Sequence, residues 1–161
     1  MRLVALLWLA SSALAQPGPE KPPPPQPIPF SHKQHVALGV KCLDCHSIRK
    51  PGFAAGIPRE DTCMGCHASV KTDSPAIRKL AEFHKTKQPI PWAKVYRVPD
   101  YVWFSHETHF RIANLGCENC HGPVAERDVI VQEKPVSMVS CIECHDKRGA
   151  PKQCNVCHDM R

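Results

Sequence analysis

The chain has 161 residues, with ten cysteines, ten histidines and 17 prolines, and a formal net charge of +6. That length is enough for one compact domain, while five Phe, three Trp and two Tyr are too few to supply most of the apolar surface of a core. The positive charge points at first toward nucleic acid or an anionic membrane, a reading that the motifs below overturn.

Met1-Arg2 is a minimal positive segment, Leu3 to Leu9 is apolar, and Ala13-Leu14-Ala15 before Gln16 is a small-x-small cleavage site. Residues 1–15 are therefore expected to be an export signal and the mature protein periplasmic. The apolar stretch Leu3 to Ala15 is about half of the roughly 20 residues that cross a bilayer. This favours cleavage over a membrane tether, and with no cysteine at its end a lipid anchor is not expected. Eight prolines between Pro17 and Pro29, four of them consecutive, make residues 16–29 an extended, exposed arm of polyproline II character.

An internal duplication follows the arm. Phe30-Ser31-His32-Lys33-Gln34-His35 is repeated as Phe104-Ser105-His106-Glu107-Thr108-His109. Each copy precedes a Cys-x-x-Cys-His motif, and together they predict two related modules over 30–72 and 93–161. Between them, residues 73–92 form a connector with one helix. Ser74 is its N-cap and Pro75 its first residue, Ile77, Leu80, Ala81 and His84 share a face, and Pro89 and Pro91 end it. Alternation at Ala93 to Val98, Tyr101 to Phe104 and Asp128 to Gln132 predicts a few short strands. The expected fold class is mostly irregular, with short helices and those strands, the two modules packing around the groups their motifs bind.

Those motifs use every cysteine: Cys42/Cys45/His46, Cys63/Cys66/His67, Cys117/Cys120/His121, Cys141/Cys144/His145 and Cys154/Cys157/His158. Cys-x-x-Cys-His is the attachment signature of a c-type haem, the thiols forming thioethers to the porphyrin and the histidine binding iron on the proximal side. Zinc is the competing reading, but Cys₄ sites consume the pairs two at a time, five is odd, and His follows the second Cys every time. A disulfide framework is the other alternative for exported cysteines. Five haems account for the sparse core, since porphyrin faces do the burying and the apoprotein is expected to be largely unfolded. Their ten propionates bring the charge of the mature protein to about zero oxidised and about −5 reduced, which removes the argument for nucleic acid.

The ten histidines divide evenly: five in the motifs and five outside, His32, His35, His84, His106 and His109. The twin Phe-Ser-His-x-x-His elements make His32, His35, His106 and His109 candidate distal iron ligands. The first His of each pair is expected to face the haem immediately downstream, and the second a different haem, stapling the modules together. For the fifth iron two residues compete. His84 lies on the apolar face of the connector helix, whereas Met138, three residues before Cys141, offers the thioether that is the usual alternative sixth ligand. Met64 and Met160 are poorly placed. Six candidates for five irons mark no open coordination position, and saturated iron passes electrons without binding substrate.

The Phe-x-His-x-x-His element ahead of a haem motif resembles the class III multihaem cytochromes c. A closer similarity is to the pentahaem cytochrome subunit of the bacterial alternative complex III. It is carried by Gln26 to His35, Ala55 to His67, Pro91 to His106, and Ser137-Met138 ahead of Cys141, so it runs from about residue 26 to 158. The resemblance implies an electron-relay subunit on the outer face of the membrane, in a respiratory chain. It would receive electrons from an iron–sulfur subunit and pass them to a cytochrome c or terminal oxidase. It also implies Met138 over His84 as the fifth distal ligand. The chain is expected to depart from that family in its short apolar N-terminal segment, which cannot supply the family's spanning helix, and in its compact connector, which leaves a stand-alone periplasmic shuttle as an alternative. A haem reductase or peroxidase would need an exchangeable iron position that nothing in the sequence marks. A scaffold role for the arm is compatible with electron relay.

Overall fold

The computed structural model describes residues 22–158. The export signal, the first six residues of the arm and Met160 lie outside them. In chain order the elements are α1 (His32–Ala37), α2 (Cys42–Cys45), α3 (Glu60–His67), α4 (Pro75–Thr86), a π-helical segment (Glu107–Ile112), α5 (Glu118–His121), a 3-10 turn (Val124–Glu126), α6 (Met138–Arg148) and α7 (Cys154–Cys157).

The connector helix forms where the periodicity places it. Ser74 is its N-cap in extended backbone, Pro75 opens it and Lys87 closes it in the left-handed region, at φ 55°. The sequence reading passes over α6, whose apolar period is interrupted by Cys141, Cys144 and His145. Its end signals are nonetheless present: the Ser137 side chain accepts from Ser140 N, and Gly149 follows the last turn at φ 63°.

No strand forms among the described residues; only single bridges occur, Ile48 with Ala55 and Val102 with His158. The expected strands find other partners for their polar groups. Ala93 exchanges both backbone hydrogen bonds with the Gln26 side chain, at 3.0 Å each. The Tyr101–Phe104 segment meets the last haem motif, Trp103 N donating to Cys157 O at 2.7 Å. Near Asp128–Gln132, Ser31 Oγ donates to Asp128 at 2.7 Å and Lys33 N to Arg127 O at 3.1 Å. Alternating side chains without a neighbouring strand do not make a sheet.

Among the described residues only Ile28, Leu80 and Ile90 are buried apolar side chains, flanked by Met64, Ala76, Ile77, Phe83 and Trp92 where α4 packs on α3. Ile28 and Gln26 dock the end of the proline-rich arm, which is therefore anchored there and does not stand free throughout. Leu38 and Ile112 are about four-fifths exposed, and Phe53, Trp103 and Met138 more than half. A polypeptide core this small is below what folds a chain of this length unaided. No helix among the described residues is long and apolar enough to cross a membrane.

Candidate haem-binding sites

Each Cys-x-x-Cys sits on a turn of helix, in α2, α3, α5, α6 and α7, with Cys117 as the N-cap of α5. Residues three apart on a helix share a face, so one surface presents both thiols, and the following histidine lies in the helix in α3, α5 and α6 and caps its end in α2 and α7. No two of the ten cysteines are joined in a disulfide.

The two thiols of a motif are not equivalent, although the sequence marks them as a matched pair of thioether donors. The second motif shows the difference. Cys63 is partly buried near the α3–α4 contact, its Sγ donates to Arg59 O at 3.7 Å, and burial chiefly pushes its pKa up. Cys66, one turn on, is exposed, with no bond to its sulfur; its carbonyl instead closes the end of α3 by accepting from Val70 N at 3.1 Å and Ser69 N at 3.2 Å. Cys66 therefore stands at the open edge of its site, and Cys63 at the edge that meets protein.

Four of the five non-motif histidines each meet one motif histidine. His32 faces His46 with ring centres 6.3 Å apart and planes 9° from parallel; His106 faces His121 at 6.4 Å and 7°. His35 faces His67 at 6.2 Å, and His109 faces His145 at 6.1 Å. A metal–imidazole bond of about 2.0 Å, with about 1.15 Å from nitrogen to ring centre, separates two trans rings by about 6.3 Å. Two rings on a tetrahedral zinc would be about 5.1 Å apart. The four separations fit one iron between each pair of trans imidazoles. No group of three His, Cys, Asp or Glu side chains suited to an ion converges among the described residues.

In six of the eight paired histidines ring orientation is fixed by a backbone carbonyl. His35 Nδ1 and His109 Nδ1 each lie 2.8 Å from the carbonyl four residues back, Ser31 and Ser105. His46 Nδ1 meets Gly56 O at 2.8 Å, His67 Nδ1 meets Val70 O at 3.0 Å, His145 Nδ1 meets Pro151 O at 2.5 Å and His106 Nδ1 meets Phe53 O at 3.0 Å. A carbonyl only accepts, so Nδ1 carries the hydrogen and Nε2 keeps the lone pair a metal needs. Burial, then the neighbouring His46 and His35, pulls the His32 pKa down to about 4, and burial chiefly lowers that of His121. Both are therefore neutral at physiological pH.

Phe30 stacks on His35 with ring centres 4.4 Å apart and meets His32 edge-on at 4.9 Å; Phe104 does the same to His109 at 4.5 Å and His106 at 4.9 Å. The duplicated Phe is thus a spacer that sets both imidazoles. Tyr96, which the sequence does not mark, lies 4.6 Å from the His121 ring and links its carbonyl to Glu133 N through one hydroxyl.

The second histidine of each pair joins two motifs of the same half of the chain, not the two modules. The halves are held instead by reciprocal docking. α1 packs on the 3-10 turn. The π-helical segment docks on loop 48–56 through His106 to Phe53 O, Glu107 N to Gly52 O and Arg111 to Ile48 O.

His158 lies apart from the four pairs. Its ring lies 6.0 Å from that of Tyr101 and its Nδ1 3.4 Å from Tyr101 O. His84 is beside the second motif, Nδ1 2.9 Å from Asp61 Oδ1, where His67 already faces His35. Met138 is the first residue of α6 and two-thirds exposed.

Sequence comparison agrees with this geometry. Residues 102–159 match the family model for cytochrome c7 and related cytochrome c. Across 83% of its length the chain is 32% identical to the menaquinone reductase, multihaem cytochrome c subunit of Nitratidesulfovibrio vulgaris (strain Hildenborough), covering 76% of that protein. The chain belongs to the multihaem cytochromes c, proteins of electron transport whose cofactor is c-type haem.

Proposed function

We propose that the chain carries five c-type haems and serves as the electron-relay subunit of a quinone-linked respiratory complex on the periplasmic side of the membrane. The observation that carries this reading is the set of four imidazole pairs at single-iron spacing. Bound haem supplies a reversible one-electron ferric/ferrous couple. The residues supply the rest. Paired cysteines attach each porphyrin, His46, His67, His121 and His145 bind proximally, and His32, His35, His106 and His109 bind distally. The carbonyls that hold Nδ1 keep Nε2 in ligating form. Iron held on both sides has no position for substrate, so the role is transfer, not catalysis.

The fifth motif, with His158 as proximal ligand, takes Met138 as its distal ligand. His84 is engaged by Asp61 on α3, whereas Met138 begins the helix that carries Cys141, and Cys141 lies near Cys157. The relative's name supports a complex that exchanges electrons with menaquinone, and the resemblance to the alternative complex III subunit supports an iron–sulfur subunit and a cytochrome c or terminal oxidase as partners. A relay of this kind runs either way, so its partners set the direction.

The test is on exported protein. Mass spectrometry should show five covalent haems, and electron paramagnetic resonance should show only low-spin iron. A near-infrared sulfur-to-iron band should vanish in Met138→Ala and persist in His84→Ala. Four or fewer haems, or stoichiometric CO binding by the native reduced protein, would defeat the proposal.

A further inference from the structure

We infer that the haem motifs stand in space in the order second, first, third, fourth, fifth, so that the second and fifth are the ends of the relay and the first is internal. This rests on the reading that the motifs hold haem. Sequence order would make the first motif an end and place the second between the first and third.

Each link in the row has its own support. The first and second motifs are neighbours because α1 carries His32 and His35, which face His46 and His67 respectively. Cys63 also lies within electrostatic range of Cys45. The third and fourth are neighbours for the same reason, through His106 and His109 at the π-helical segment, with Cys120 close to Cys144 and Cys141.

The join between halves decides the order. Loop 48–56 holds both the first and the third pair: Gly56 O accepts from His46, and Phe53 O, three residues earlier, accepts from His106. Gly52 brings the two elements into contact, since a Cβ there would come 2.3 Å from Glu107 Cβ. On the same side, Cys117 lies near Cys42, and His121 near His46. The second motif is reached through His35 on α1 and is carried by α3, which packs against α4.

The fifth motif attaches at the far end. The connector 149–153 is turned back on α6 by His145 Nδ1 bonding to Pro151 O, and Cys141 is near Cys157. The bridge from Val102 to His158 and the bond from Trp103 N to Cys157 O tie that motif to the segment leading into Phe104. That segment serves the third and fourth pairs alike, so the α6 contacts place the fifth motif beside the fourth.

Nuclear Overhauser contacts between haem substituents of the intact ferrous protein test the order directly. Cross-peaks are expected between the first and third haems and absent between the second and third. Potentiometric titration of two variants supplies an independent reading. Removing the second haem with Cys63→Ser/Cys66→Ser should shift the potential of one remaining haem, the first. Removing the third with Cys117→Ser/Cys120→Ser should shift two, the first and fourth. Cross-peaks between the second and third haems, or two shifted potentials on loss of the second, would overturn the order. A parent with fewer than five haems would defeat the haem-count reading instead, and mass spectrometry reports that separately. Should a variant fail to fold, the contacts in the parent still decide.

Discussion

The two Phe-Ser-His-x-x-His elements have the same local geometry on different backbones. In both, Ser caps the residue three on at 3.1 Å, Phe stacks on the second His, and that His bonds the Ser carbonyl at 2.8 Å. Yet 32–37 is α-helical and 107–112 is π-helical. The difference has a cause in the count of residues. His35 is seven positions before Cys42, and His109 is eight before Cys117. The extra residue is absorbed just after the second His: Val40 N bonds His35 O, whereas the counterpart bond runs one residue further, from Leu115 N to His109 O. Single-residue insertions in helices are commonly taken up as π-bulges, often at functional sites. Side-chain geometry at the histidines is kept, and the backbone gives way around it.

The largest effects that would break this parallel are ligand removals. His35→Ala should turn the iron of the second motif high-spin, and His109→Ala that of the fourth, each losing one of five low-spin signals in electron paramagnetic resonance. If His109→Ala altered the third motif instead, the two copies would not be equivalent. A smaller effect distinguishes them. Gly52→Ala should destabilise the holoprotein by about 1–3 kcal/mol, because Gly52 has φ 82° and Glu107 fills the space a Cβ would need. Its perturbation should centre on the third motif, where Phe53 O holds His106; thermal unfolding and the spectrum of that haem would report it. Phe104→Ala should cost about 0.5–1.5 kcal/mol beyond lost burial. Phe30→Ala should cost more, since Phe30 also meets Trp92 at 6.4 Å; thermal melts of the two variants compare the copies directly.

What the sequence made legible was whatever side chains announce. The Cys-x-x-Cys-His turns, the twin histidine elements and α4, with Ser74, Pro75 and an uninterrupted apolar face, were all readable. The unequal settings of Cys63 and Cys66 were not, because they depend on which edge of α3 meets α4. α6 was hidden because haem-site residues occupy positions that an apolar stripe would use. The strands failed because alternation says nothing of a partner, and Gln26, 67 residues from Ala93, takes the partner's place. Least visible were the acceptors that orient the rings. Gly56, Phe53, Val70 and Pro151 act through backbone carbonyls, which every residue has, and the docking of each half on the other is set by contacts far apart in sequence.

Those acceptors lead to the finest distinction, within each half and not between them. In the second and fourth pairs both imidazoles donate Nδ1–H to a carbonyl. In the first pair only His46 does, since His32 Nδ1 is buried without a partner among the described residues. In the third pair His106 bonds Phe53 O, while His121 contacts Tyr96 through its ring and its carbonyl oxygen, not its Nδ1. A carbonyl acceptor makes an imidazole more basic and favours the ferric state, and burial of an unbonded ring disfavours the added charge of ferric iron. The second and fourth haems should therefore have lower potentials than the first and third, giving low, high, high, low along the first four positions of the row. Potentiometric titration resolved haem by haem tests the pattern. Gly52→Ala sharpens it: by drawing Phe53 O away from His106 it should raise the third potential and leave the second and fourth where they are. A third potential that stays fixed while the loop moves would mean that burial, not the carbonyl, sets the difference.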